Sequence, residues 1–293
     1  MTFGADGDFS AIRTSMQKTP RFNYSQQYLE YGYKELSIPP GPQGAHLIEK
    51  NALHIWPRGH FMLIALPNFD GSFTCTLFLP YEGDEGFDQL NREDQIKAFF
   101  EKHFPDTIPL MPELVSDFQQ NPTGSLVTVR CNPWQYDHKF LLIGDASHAI
   151  VPFYGQGMNS GFEDCTILDE LLDEYEEDWA TVIKMFSETR PKDTNAIADL
   201  ALRNFIEMRD LVADPQFLLR KEMEAYFNKQ YVGRFNPLYS LVTFSHVPYS
   251  QALKEGHDQD RLFGEILALP GVEDNWQDNA EVHQIFQHWI EHK

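Results

Sequence analysis

The sequence predicts a mixed α/β chain, with an antiparallel sheet inserted into a parallel α/β layer and a helical region at the end. Three observations carry this expectation. Short runs rich in β-branched and aromatic residues crowd residues 35–80, and a continuous apolar run ends in Gly-Asp at residue 145. From Gly157 onward, apolar residues recur at helical spacing.

The elements follow in order. "TFGADGDFSAIR" reads as the tail of a strand, an acidic turn and a helix start. "ELSIPP", "LHIWPR", "FMLIALPN" and "SFTCTLFLP" read as strands, with turn signals at "PRGH" and "NFDGS". The last three lie close together, so hairpins are expected. Strand side chains alternate faces, so Met62, Ile64 and Leu66 share one face of their strand, and Thr76 and Phe78 share a face of the next. From the residues alone, the simpler expectation is a sheet packed on its own core. Residues 88–104 read as a helix that "PDTIPLMPEL" breaks. "SLVTVRCNPW" and "HKFLLIGD" read as strands, the second apolar throughout, as in a parallel sheet buried on both faces. Helices are expected over 157–175, 178–210 and 215–230, followed by an acidic, polar tail. In that tail, His288 and His292 have the i,i+4 spacing of a metal-binding pair, with His283 nearby. A solvated terminal helix is the simpler reading, and no metal is expected.

The chain of 293 residues is long enough for a sizeable core, and its net charge of −21 opposes non-specific nucleic-acid binding and polybasic membrane contact. Cys75, Cys131 and Cys165 are far apart and suggest neither a disulfide framework nor a zinc site. No apolar run approaches bilayer length, and "MTFGADGDFSAIR" lacks the pattern of a signal peptide. A cytoplasmic protein without a membrane anchor is expected.

The stretch "FLLIGDASHAIVPFYGQGMNSGFEDC", residues 140–165, carries the chemistry. Asp145 stands at the carboxyl end of a strand, where open α/β sheets place ligands and where a carboxylate can accept hydrogen bonds from ribose hydroxyls. The spacing Gly155-x-Gly157-x-x-Ser160-Gly161 departs from the dinucleotide fingerprint and lies too far beyond the strand. From Gly157, residues Met158, Phe162, Cys165, Leu168, Leu172 and Tyr175 keep helical spacing. The glycines therefore bring backbone close to something at a helix N-terminus, where free N–H groups and the dipole favour negative charge. Asp145, Ser147 and His148 are too close in sequence for a triad, and Ser160 lacks a nucleophile elbow.

With "GADGDFSAIR" at the start and "LIGDASHAIVPFYGQGMNSGFEDC" in the middle, the chain resembles the FAD-dependent aromatic hydroxylases, the class A flavoprotein monooxygenases. The resemblance implies a partial FAD-binding Rossmann-like domain (residues 1–28 and 129–176), a substrate-binding β-sheet domain (29–128) and a C-terminal helical region (177–293). It implies FAD as cofactor and NADPH as reductant. Asp6, Gly7, Ser10 and Arg13 would lie near the FAD pyrophosphate, and Asp145, with Gly144, on the ribose. Gly157, Met158 and Asn159 would face the pyrimidine edge of the flavin, with Pro152 and Gly155 on the approach. "PRFNYSQQYLEYGYKELSIPP", "LHIWPRGHFMLIALPN", "NFIEMRD" and "NPLYSLVTFS" resemble the branch of the family that hydroxylates kynurenine. On that resemblance, Met62, Ile64, Leu66, Thr76 and Phe78 cover the substrate ring, and Pro152, Phe153 and Tyr154 stand between substrate and flavin. Asn204 and Tyr239 are polar contacts to the amino-acid end of L-kynurenine, and O2 is the second substrate.

The sequence departs from that pattern in lacking the G-x-G-x-x-G βαβ unit and the segment that supplies an Arg and a Tyr for the substrate carboxylate. The expectation is a truncated chain with weak FAD affinity, completed by an upstream segment or a partner chain. Two further readings stand beside it: a non-catalytic fragment acting in binding, and a flavin hydroxylase for another aromatic substrate.

Overall fold

The computed structural model describes residues 1–293, which form two compact units. One comprises Met1–Ser25, Thr128–Asn204 and Ala213–Lys293, and the other Gln26–Val127 with Phe205–Val212. The chain opens with β1 (Thr2–Gly4), α1 (Ala11–Met16) and β2 (Asn23–Ile38). Next come β3 (His54–Pro57), β4 (Met62–Pro67), β5 (Phe73–Pro80), α2 (Glu93–His103) and α3 (Leu114–Gln120). Then follow β6 (Thr123–Asn132), β7 (Gln135–Tyr136), β8 (Phe140–Leu142), α4 (Asp145–His148) and α5 (Gly157–Glu174). The remainder is helical: α6 (Trp179–Thr189), α7 (Pro191–Ile206), α8 (Pro215–Gln230), α9 (Leu238–Phe244), α10 (Tyr249–Leu267), α11 (Val272–Asn275) and α12 (Ala280–His292).

In the second unit, a five-stranded sheet has the order β3-β4-β5-β2-β6, and the β3–β4, β4–β5 and β2–β5 pairs are antiparallel. Alternation along the strands divides its apolar residues between two faces. Leu36, Leu63, Ala65, Cys75, Leu77 and Leu79 take one face and are buried in a cluster with Ile96, Phe99 and Phe100 of α2 and Leu114 and Phe118 of α3. Burying a side chain of this size stabilises by about 1.5–3 kcal/mol, so this face holds the sheet to its helices. Helix α2 starts where the Gln95 side chain accepts the Arg92 amide at 3.0 Å, and its last turn carries Lys102 and His103, which suit the dipole.

The opposite face carries the residues expected to cover a substrate. Met62 stands directly across from Phe78, and Ile64 across from Thr76, so both sets lie on one surface. The surface grades from buried Met62 and Phe78 to Leu66, which is 47% exposed. At the β2 side, Tyr33 continues the Phe78 row. The Phe205 ring meets Tyr31 edge-on at 5.2 Å, and the Arg209 guanidinium lies 5.3 Å and 4.8 Å from the Tyr31 and Phe205 rings. Arg209 belongs to a π-helical turn, Glu207–Leu211.

In the first unit, β1 pairs parallel with β8, and β7 pairs antiparallel with the other edge of β8. The expected long strand through "HKFLLIGD" is therefore only three residues of a mixed sheet, and Phe140 is 37% exposed. The chain turns at Gly144 straight into α4, which shortens the strand. β1 and β8 pack tightly, since a Cβ on Gly4 would stand 2.7 Å from Leu142 Cδ2. Leu141, Leu142 and Trp134 share a core with Leu168 of α5 and Val182, Ile183 and Phe186 of α6. The helix expected over 178–210 is two helices, because Pro191 cannot continue the hydrogen-bond ladder and starts α7 instead. Helices α8, α10 and α12 share a further core in which the Phe227 and Phe286 rings stack at 3.7 Å. His288 and His292 lie on α12 with ring centroids 4.1 Å apart, and no group of three His, Cys, Asp or Glu side chains is placed to hold a metal. No helix is long and apolar enough to cross a membrane.

Candidate functional site

The end of β8, the loop after α4 and the start of α5 open on one cleft of about 640 Å³ in the first unit. Seven of the residues expected at a cofactor line it: Gly7, Gly144, Asp145, Pro152, Gly155, Gly157 and Met158. Three of its glycines, Gly7, Gly144 and Gly155, have positive φ, and the last two stand where β8 ends and where the loop enters α5. Gly144 has φ 58°, ψ −145°, and Gly155 is left-handed at φ 66°, ψ 22°. A Cβ on either would meet no protein atom within 4 Å, so both leave open space.

Asp6 and Arg13 do not line the cleft; they build its neighbouring turn. The Asp6 carboxylate accepts the Ser10 hydroxyl at 2.5 Å and the Ala11 and Ile12 amides at 2.8 and 3.2 Å, while Ser10 Oγ accepts the Arg13 amide. Burial pushes the Asp6 carboxyl up, and these hydrogen bonds outweigh it and hold it below the ordinary carboxylate range. The Arg13 guanidinium is buried, donating to Ala146 O at 2.8 Å and to Asp8 O and stacking over Tyr24. It ties α1 to α4.

Behind the cleft lies a buried polar network that sequence reasoning missed. Asp164 of α5 is fully buried. Its Oδ2 faces His148 Nε2 at 2.7 Å and accepts the Gly144 amide at 2.8 Å, and its Oδ1 accepts Arg190 Nε at 2.8 Å. Arg190 also donates to Ser160 and pairs with Glu163 at 2.6 Å, and Trp134 stacks on the His148 ring at 5.2 Å. Burial opposes the Asp164 charge, but His148, Arg190 and the Gly144 amide outweigh it, so its carboxyl lies below the ordinary value. Only the Asp and Arg residue types could have hinted at this, because the partners lie on separate elements.

The loop leading to α5 is fixed from the helical side of the same unit. Asn204 Nδ2 donates to Phe153 O at 2.8 Å, and the Tyr239 ring stacks on Tyr154 at 5.6 Å. Gln156, buried, accepts from Tyr249 and from Asn159, whose side chain folds back on the loop instead of lining the cleft. Burial pushes the Tyr249 hydroxyl up to about 12. Of the two residues expected at the substrate's polar end, Asn204 thus holds the Phe153 carbonyl and Tyr239 stacks on the Tyr154 side chain.

Helix α5 departs from its expected apolar face. Leu168 is buried, yet Met158 and Phe162 are 70% and 64% exposed and line the cleft with exposed Cys165. One side of the first turns, with Met158 and Phe162, faces the cleft while Ser160 and Asp164 on the other side are buried, and the later turns meet α6 and β8. The other thiols, Cys75 and Cys131, are buried, and burial pushes each up to about 12.

The cleft fits an FAD-type cofactor in the chemistry of its donors and acceptors. Asp145 offers an exposed carboxylate to hydroxyls. The α5 N-terminus has no side-chain cap and no acidic residue in its first turn, so its free amides and dipole favour an electron-rich edge. The profile of the FAD binding domain family matches residues 2–193, and the chain belongs to that family. The chain is 52% identical over 287 residues to a kynurenine 3-monooxygenase of Flavobacterium psychrophilum, covering 98% of this chain and 64% of that protein. It is 46% identical to one of Dictyostelium discoideum, covering 90% and 60%. The chain thus spans about three-fifths of the length of these curated relatives. Among solved structures, 2-methyl-3-hydroxypyridine-5-carboxylic acid oxygenase shares the fold at a TM-score of 0.58 and 19% identity, over 73% of this chain and 56% of that one. Tetracycline destructase Tet(55) shares it at 0.53 and 16%, over 84% and 61%.

Proposed function

We propose that this chain carries the flavin-facing and ring-facing parts of an aromatic hydroxylase that converts L-kynurenine to 3-hydroxykynurenine with FAD, NADPH and O2. The observation that carries this reading is the cleft that brings Asp145 and the uncapped α5 N-terminus onto one space, in a chain about half identical to kynurenine 3-monooxygenases. FAD, when bound, supplies the redox chemistry. Asp145 accepts from its ribose hydroxyls, and the Gly157–Asn159 backbone faces the pyrimidine edge of the ring. Pro152, Phe153 and Tyr154 stand between flavin and substrate. Met62, Ile64, Leu66, Thr76 and Phe78 cover the substrate ring and exclude water, a role supported by their lying on the sheet face away from its core. Asn204 and Tyr239 meet the polar end of the substrate, and residues 1–28 and 129–176 serve the cofactor, 29–128 the substrate.

An upstream segment or partner chain completes the site. This is supported by the exposed Met158 and Phe162 on the cleft wall. Three free cysteines suit a reducing cytoplasm. The test is to express the 293-residue chain, alone and with the part of a relative outside the matched span supplied in trans, and record bound flavin and kynurenine-stimulated NADPH oxidation. Flavin uptake with stimulation is expected when the segment is present. A colourless protein under both conditions would leave only a binding role. Bound flavin stimulated by a different aromatic acid would replace the substrate.

A further inference from the structure

Asp145 reaches the cleft from a turn held within itself by Ser147 and His148, which donate to Gly144 O, and from α1 by Arg13, which donates to Ala146 O. Gly144 has a backbone conformation that residues with a Cβ rarely adopt, and the helix after it is a single turn, Asp145–His148. A turn of this kind keeps one geometry only where its surroundings hold it. Among these holds, the one on the Gly144 amide is a carboxylate contributed twenty positions along the chain by the helix whose N-terminus opens on the same cleft.

We propose that Asp164 is the positioning residue of this cleft: with His148 and Arg190 it fixes the Gly144–Asp145 turn and so presents the Asp145 carboxylate to the hydroxyls of the bound ligand. The proposal rests on reading the cleft as the cofactor site. The geometry uses each carboxylate oxygen. Oδ2 takes the Gly144 amide at the start of α4 and meets His148 at its end, and so clamps α4 at both ends. Oδ1 takes Arg190, which reaches Ser160 O and Oγ on the turn of α5 before Asp164. The strand-end turn and the helix N-terminus, the two ligand-facing elements, are thereby set relative to each other by one buried charge.

An amide cannot reproduce this arrangement. In Asp164→Asn, the oxygen satisfies either Arg190 or the Gly144 amide, and the NH2 group then confronts the other donor. D164N is therefore expected to weaken FAD binding roughly ten- to a hundredfold, the range of one lost charge-assisted hydrogen bond. The deciding comparison is a cycle of D164N, D145N and the double variant, with FAD affinity read by flavin fluorescence on the chain together with any segment it needs. Positioning through Asp145 predicts that the double variant binds no more than about threefold worse than D145N alone. Losses that multiply would overturn the proposal. Should D164N fail to fold, the cycle run with H148Q, which keeps the Gly144 hydrogen bond, decides it by the same criterion.

A second readout needs no ligand. Amide hydrogen exchange over residues 143–147 is expected to rise in D164N by more than the change over α8 and α12. A uniform rise would mean a structural role alone and overturn the proposal. If the wild-type chain binds no FAD under any condition, the cofactor reading fails by itself, and exchange over 143–147 still decides whether Asp164 holds the turn.

Discussion

The two surfaces that face ligand in this proposal are built in opposite ways. The sheet of the second unit is held by apolar burial on its far side, where Leu63, Leu77 and Phe100 are fully buried. Its near face is left graded and partly open. The cleft of the first unit is held by charge: Asp164, Arg190 and His148 are buried behind Gly144 and saturate one another. Apolar packing is non-directional, so it fixes the plane of a sheet without dictating one geometry for its other face, which runs from buried Met62 and Phe78 to exposed Leu66. A hydrogen-bonded network is directional, and fixes a single turn.

Substitutions can break this contrast. The largest effect is expected from Leu77→Ala on the core face, a loss of about 2–5 kcal/mol in urea unfolding, because the cavity lies among buried apolar neighbours. Gly144→Ala comes next, at about 1–3 kcal/mol, because φ 58° with ψ −145° strains any residue with a Cβ even though space is open there. Flavin uptake by this variant should fall more than its stability does, and equal falls would argue that the turn is scaffold only. Leu66→Ala on the near face sharpens the comparison at its lower end. Its side chain is already half exposed, so a change below about 0.5 kcal/mol is expected, and a cost like that of Leu77→Ala would show both faces to be core.

Much of the sheet was legible in the sequence. Alternation in "FMLIALPN" and "SFTCTLFLP" places Met62, Ile64 and Leu66 together and Thr76 with Phe78, and the register joins the two sets. Alternation gives which residues share a face, but not which face meets helices, since that depends on where α2 and α3 return. Pro215 and Asp214 mark the start of α8, and Asp214 Oδ1 accepts the Phe217 amide there. The break at Pro191 could have been read from the proline itself. Periodicity in α5 was legible, but it could not say that Met158 and Phe162 face open space while Leu168 is buried. The Asp164 network had no local signal at all. Its members are joined by bonds between separate elements, and a buried Asp is written like a solvated one.

The distribution of the thiols has a practical consequence. Two of the three cysteines are enclosed in packed cores and held protonated, and the third, Cys165, stands exposed on the cleft wall beside Gly161 and Phe162. The unaltered chain therefore carries a natural attachment point for a thiol-reactive fluorophore, on the wall of the space where occupancy is to be read. No cysteine needs to be removed or introduced to place a reporter there.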